Sequence, residues 1–104
     1  MLVNLFDELP VPEAGETFKT LLASQTCRIE LIVSSDTPEP VLYDQEEDEA
    51  VLLLEGGATL WLDGRSVSLS PGDFLLIPAH TPHRVVQTLP GTRWLAFFSG
   101  ERLC

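Results

Sequence analysis

Asp63-Gly64 constrains this chain more than any other feature. The pair sits between Ala58-Thr59-Leu60-Trp61-Leu62 and the alternating Val67 and Leu69. Two such residues between alternating runs predict a type I′ hairpin turn, because glycine tolerates positive φ freely and aspartate moderately well. A chain that reverses so tightly is committed to antiparallel pairing there, and the flanking sequence agrees. Cys27, Ile29, Leu31 and Val33 alternate with Arg28, Glu30 and Ile32, the period-2 pattern of a half-buried strand with Cys27 as a buried thiol. Ala50 to Leu54, Phe74 to Ile77, His83 to Thr88 and Thr92 to Ser99 read as further strands. Gly56-Gly57, Pro71-Gly72-Asp73 and Leu89-Pro90-Gly91 are the turns. Thr17 to Leu22 fits one helical turn or a strand, and we take it as a strand. Pro38 and Pro40 mark a loop or an edge. Short strands spaced by turn residues predict an all-β sandwich or small barrel.

The 104 residues fit a single domain, 1–104, with a loop-like N-terminal arm at 1–16 whose Leu5 and Phe6 are expected to tuck against the barrel or a partner. Sixteen acids against six Lys and Arg give a net charge of −10, which repels phosphate backbones and anionic lipid. Nucleic acid and membrane surfaces are therefore excluded as expected partners. No apolar run approaches the ~20 residues of a membrane span, and the acidic N-terminus lacks a signal-peptide pattern. Neither Cys27 nor the terminal Cys104 belongs to a C-x-x-C pair, so a reduced, cytoplasmic protein is expected.

Gly72, Pro78, His80, His83 and Gln87 stand at the spacing of the second motif of the cupin superfamily, with His80 in place of a glycine and Gln87 in place of an asparagine. Glu49 and Gly56 fall on the last two positions of the first motif, while Tyr43 and Gln45 occupy the places of its two histidines. On the stretch from Tyr43 to Gln87 the chain resembles the cupins, small single-domain members with a degenerate first metal motif. That resemblance implies a double-stranded β-helix, a jelly-roll-like barrel whose motif-bearing core is 43–87. It also implies an interior site usually rich in histidine. Because the superfamily hosts many unrelated chemistries, it implies no particular activity.

Alternate residues of a strand share a face, so Tyr43, Gln45 and Glu49 are expected to meet His83 inside the barrel, with Asp44, Glu46 and Asp48 outward in solvent. Gln45, Glu49 and His83, with Tyr43, are candidate ligands for a divalent zinc, manganese, iron or nickel ion. The competing reading makes them a hydrogen-bonded polar cluster or a recognition site for a small polar molecule. The candidate ligand pocket comprises Tyr43, Gln45, Glu49, His80, His83 and Gln87. His80, between Pro78 and Pro82, reads as a surface or rim histidine, with a ligand-contacting or acid–base role as the alternative. Trp61 and Trp94 read as core or interface residues. Two functions follow: a ligand-binding or sensor module without catalysis, or a metal-dependent oxygenase, isomerase or lyase on a small organic substrate. Ala50 to Leu54 and Phe74 to Ile77 are apolar on both faces, which predicts that the arm and a second copy of the chain cover the outer face, as in a homodimer.

Overall fold

The computed structural model of the protein describes residues 1–103; the expectation of a terminal thiol at Cys104 lies outside the described residues. Eight strands follow one another: β1 (Glu16–Ala23), β2 (Cys27–Ser34), β3 (Asp48–Glu55), β4 (Ala58–Leu62), β5 (Arg65–Leu69), β6 (Phe74–Ile77), β7 (His83–Thr88) and β8 (Thr92–Ser99). They form a five-stranded sheet in the order β1-β2-β8-β3-β6 and a three-stranded sheet in the order β5-β4-β7, antiparallel throughout. The fold is the all-β one expected. No helix of the described residues is long and apolar enough to cross a membrane.

The β4–β5 hairpin turns as its sequence predicts. Asp63 and Gly64 both have positive φ, 44° and 89°, which is what a type I′ turn demands, and Leu62 pairs with Arg65 across it. Thr17 to Leu22 lies in β1, where pairing with β2 overrides the one-turn helical pattern. Gly56 shows why glycine stands at the β3–β4 turn. Its φ is +89°, and a Cβ there would lie 2.8 Å from the Thr92 Cα.

The two sheets face each other and bury Ile32, Val51, Leu53, Ala58, Leu60, Leu69, Ile77, Trp94, Ala96 and Phe98 between them. β2 differs from a strand covered on one face. Arg28, Glu30 and Ile32 point inward, so Ile29, Leu31 and Val33 point outward, yet Leu31 and Val33 are buried. The N-terminal arm crosses this outer face. The Arg93 guanidinium, paired in register with Val33, donates from Nη1 to the Leu5 and Asp7 carbonyls at 2.8 and 3.0 Å. Phe6 nevertheless stays exposed, so the expected tucking fails at that residue within one copy of the chain. Cys27 is also exposed rather than buried, because it opens β2 beside the 24–26 turn, where the sheet face is bare.

Candidate ligand pocket

An open cavity of about 180 Å³ lies between the two sheets, lined by residues of both. Its polar centre is built from the segment before β3 and the start of β7. Tyr43 N–H donates to the His83 carbonyl at 2.8 Å, and His83 N–H donates to the Tyr43 carbonyl at 2.9 Å. This two-bond bridge stacks the two rings, with centroids 5.7 Å apart and planes 25° from parallel. The His83 Nδ1 lies 2.8 Å from the Thr81 carbonyl, which can only accept, so Nδ1 carries a proton. Nε2 is thereby aimed at Glu49 Oε1, 3.6 Å away. The same Glu49 oxygen accepts a 3.0 Å hydrogen bond from Gln45 Nε2. Burial disfavours the His83 imidazolium, but the Glu49 carboxylate, the Thr81 carbonyl and more distant Asp44 outweigh it and raise the pKa above the ordinary histidine value. Burial, together with Glu16, Glu39 and Glu49, raises the Tyr43 pKa as well, keeping a phenol that can donate.

Tyr43, Gln45, Glu49 and His83 all line the cavity, whereas His80 and Gln87 do not. His80 projects outward, 64% exposed at its side chain and 3.2 Å from Asp44. Its φ of 59° explains its place in the motif: the position requires a left-handed backbone, which glycine usually supplies. Its N–H donates to the Gln45 carbonyl at 2.8 Å, tying the 78–82 loop to the segment that carries Tyr43 and Gln45. Gln87 is exposed on β7, opposite Thr59.

Asp44 and Glu46 are exposed as expected, but Asp48 is only 2% exposed. It points away from the cavity and accepts hydrogen bonds from the Ala79 and Leu103 N–H groups, both at 2.7 Å, so it fastens the loop after β6 and the C-terminal segment. A carboxylate that satisfies two backbone donors belongs inside, and the acid run is therefore not uniformly a solvated face.

Three charged residues of the cavity were not expected: Glu16 of β1, and Arg28 and Glu30 of β2. Arg28 Nε bonds Glu30 at 2.6 Å, its Nη1 bonds both oxygens of Glu47 at 2.8 and 2.9 Å, and its guanidinium lies 4.0 Å above the Phe98 ring. Those carboxylates raise its pKa although burial works against the charge. The signal was in the alternation itself, since Arg28 and Glu30 share a face with Ile32, and either face of β2 can be the inner one. Trp94 is both core and cavity wall; Trp61 packs beneath Arg84, 5.6 Å from its guanidinium.

A metal held by the protein needs three or four converging donors. Glu49 and His83 supply two, Gln45 turns its amide nitrogen towards Glu49, and Tyr43 presents a ring face to His83. Among the described residues no three His, Cys, Asp or Glu side chains come together as a metal site. This donor set does not fit a resident divalent ion.

The model of the family described as the cupin domain matches residues 30–97. Over 87 residues the chain is 36% identical to quercetin 2,3-dioxygenase of Bacillus subtilis (strain 168), an alignment of 70% of this chain and 26% of that protein, so the chain spans about a quarter of the length of this curated relative. A provisionally assigned mannose-6-phosphate isomerase from Ralstonia eutropha JMP134 superposes with a TM-score of 0.87 at 34% identity, over 97% of this chain and 99% of that one. A cupin superfamily protein from Desulfitobacterium hafniense DCB-2 gives 0.80 at 22% identity, over 89% and 84%, a likeness of fold.

Proposed function

The chain belongs to the cupin family, and from that premise we propose that it is a ligand-binding or sensor module that takes a small organic molecule into the barrel interior. The observation that carries this reading is the open cavity whose apolar walls converge on Tyr43, Gln45, Glu49 and His83. About 180 Å³ is below the ~300–1,000 Å³ of pockets for drug-sized ligands. It is close to the ~150 Å³ that accommodates a benzene ring. The part of a ligand held inside is therefore of single-ring size. The activities named for the Bacillus and Ralstonia relatives are not carried over to this chain.

Elemental analysis of protein purified without a metal-affinity tag, together with thermal shift in the presence of phenol and catechol, tests the proposal. The expected result is less than stoichiometric metal, unchanged by His83→Ala, and a rise in Tm with ring-sized ligand that Glu49→Ala diminishes. One equivalent of a divalent metal, lost on His83→Ala, would replace this reading with that of a metal-dependent oxygenase, isomerase or lyase.

The same proposal includes a homodimer in a reducing, cytoplasmic setting. Its support is the outer face of the five-stranded sheet. By alternation with the cavity residues, Ile29, Leu95, Phe97, Leu52, Phe74 and Leu76 point outward there in adjacent registers. Phe74 is 65% exposed, and the arm pinned by Arg93 reaches only part of this face. Light scattering at tens of micromolar should return twice the chain mass, and Phe74→Glu should return the monomer. A strict monomer for the unaltered chain would remove the dimer.

A further inference from the structure

We propose that Glu16 is a specificity-determining residue which, with Glu30 and Glu49, makes the cavity select an uncharged or cationic hydrogen-bond donor of single-ring size and reject carboxylated and phosphorylated molecules. This inference rests on the reading of the cavity as a ligand site and adds to it the chemical class of the ligand. Its basis is a chain of hydrogen bonds whose directions are forced. The Trp94 indole N–H can only donate, and it donates to Ser34 Oγ at 2.9 Å. Ser34, 1% exposed, must then spend its own hydrogen on Glu16 Oε2, 2.7 Å away. One oxygen of Glu16 is thus fixed as an acceptor on the cavity wall, and among the described residues no hydrogen bond occupies the other, Oε1. The carboxyl group is held in place by Ser34 while its second oxygen keeps its accepting capacity. A ligand hydroxyl or ammonium satisfies that oxygen; a carboxylate or phosphate repels it.

The other charges point the same way. Three carboxylates line the cavity, Glu16, Glu30 and Glu49, against the guanidinium of Arg28 and the imidazole of His83. Neither cation is free to receive an anion. Arg28 is committed to Glu30 and Glu47, and His83 faces Glu49. An anionic ligand would have to break one of these pairs inside a partly desolvated site, and the chain as a whole carries −10. Each of the three carboxylates has one oxygen engaged, by Ser34, Arg28 or Gln45, but Glu30 also faces the Arg28 guanidinium and Glu49 the His83 imidazole, whereas among the described residues no cation pairs with Glu16.

The test is titration of the intact protein, followed by the ¹H–¹⁵N indole resonances, with single-ring probes of one size: phenol, catechol, tyramine, benzoate and phenyl phosphate. Trp94 lines the cavity and reports binding; Trp61 does not line it and reports non-specific change. Catechol and tyramine should bind at least about tenfold more tightly than benzoate and phenyl phosphate. Glu16→Gln, which keeps an acceptor for Ser34, should shrink that ratio about threefold or more, chiefly by weakening tyramine and strengthening benzoate. If phenol moves Trp94 but benzoate or phenyl phosphate binds as tightly as catechol, or if Glu16→Gln leaves the ratio unchanged, the selectivity is overturned while the cavity remains a ligand site. If no probe, phenol included, moves Trp94 up to about 10 mM, the ligand-site reading falls and this inference falls with it.

Discussion

The two ends of the interior are built by the same strands in different chemistry. β3 places Glu49 at one end and Leu53 at the other, both inward; β7 opens on His83 and runs on to Val85; β8 carries Phe98 near Glu49 and Trp94 near Leu53. At the closed end Leu53, Ala58 and Leu69 pack without lining the cavity, and Leu53 is wholly buried. At the open end the inward positions carry Arg28, Glu30, Tyr43, Gln45, Glu49 and His83 around about 180 Å³ of space, which Glu16, opposite Ser34 in register, borders from the other side. Strand alternation decides only which residues face in. What they do there depends on how far along the strand they lie, so stability belongs to the closed end and recognition to the open one.

Variants at the closed end should therefore cost the most stability. Leu53→Ala removes a fully buried side chain from a packed cluster, and a loss of about 2–5 kcal/mol is expected in urea unfolding. A loss below about 1 kcal/mol would mean that the closed end is not the rigid base of the barrel. Gly56→Ala comes next. It forces a side chain into left-handed backbone against Thr92, and about 2–3 kcal/mol is expected. Glu49→Gln at the open end should change stability by no more than about 1 kcal/mol, because Gln45 keeps an acceptor at the new amide. Its larger effect should be on ligand affinity measured by calorimetry. If Glu49→Gln destabilised as much as Leu53→Ala, the division of labour between the ends would be wrong.

The same division explains what the sequence revealed. Elements were legible because turn chemistry and period-2 alternation are local: Asp63-Gly64 specified its turn, and even Thr17 to Leu22 was assignable to a strand. Tyr43, Gln45, Glu49 and His83 were legible through their spacing. Glu16, Arg28 and Glu30 were not, because alternation separates two faces without saying which is inner. On β2 the outer face, under the arm, is the more apolar of the two. Asp48 misled for a related reason. An acid in a run of acids looks solvated, and its partners, the Ala79 and Leu103 amides, are distant in sequence. His80 kept its motif position and lies exposed outside the cavity, as a surface or rim histidine does, since what the position asks for is a backbone conformation.

The smallest expected effect lies where the two ends meet, at Glu16, whose hydrogen-bond chain runs through Ser34 to the packed Trp94. Burial pushes the Glu16 carboxyl above the ordinary value of 4.5; the Ser34 hydrogen bond opposes this, and Glu39 and Glu49 add to it. The folded chain then holds this proton more tightly than the unfolded chain. Below the unfolded value the contribution to stability is complete, and it is lost as pH rises through the raised folded value, after which it is constant. Glu16→Gln titrates no proton there. The Tm difference between variant and unaltered protein should therefore move in the variant's favour as pH climbs from about 4 through that window, and then level off. The direction of the change and its levelling off above the window are the expected result. A difference that is flat across the window would show that Glu16 is solvated like the exposed acids of the surface. One that moves against the variant would show a carboxylate stabilised by the fold, and the contrast between a tightly packed base and a chemically tuned mouth would then have to be drawn without this residue.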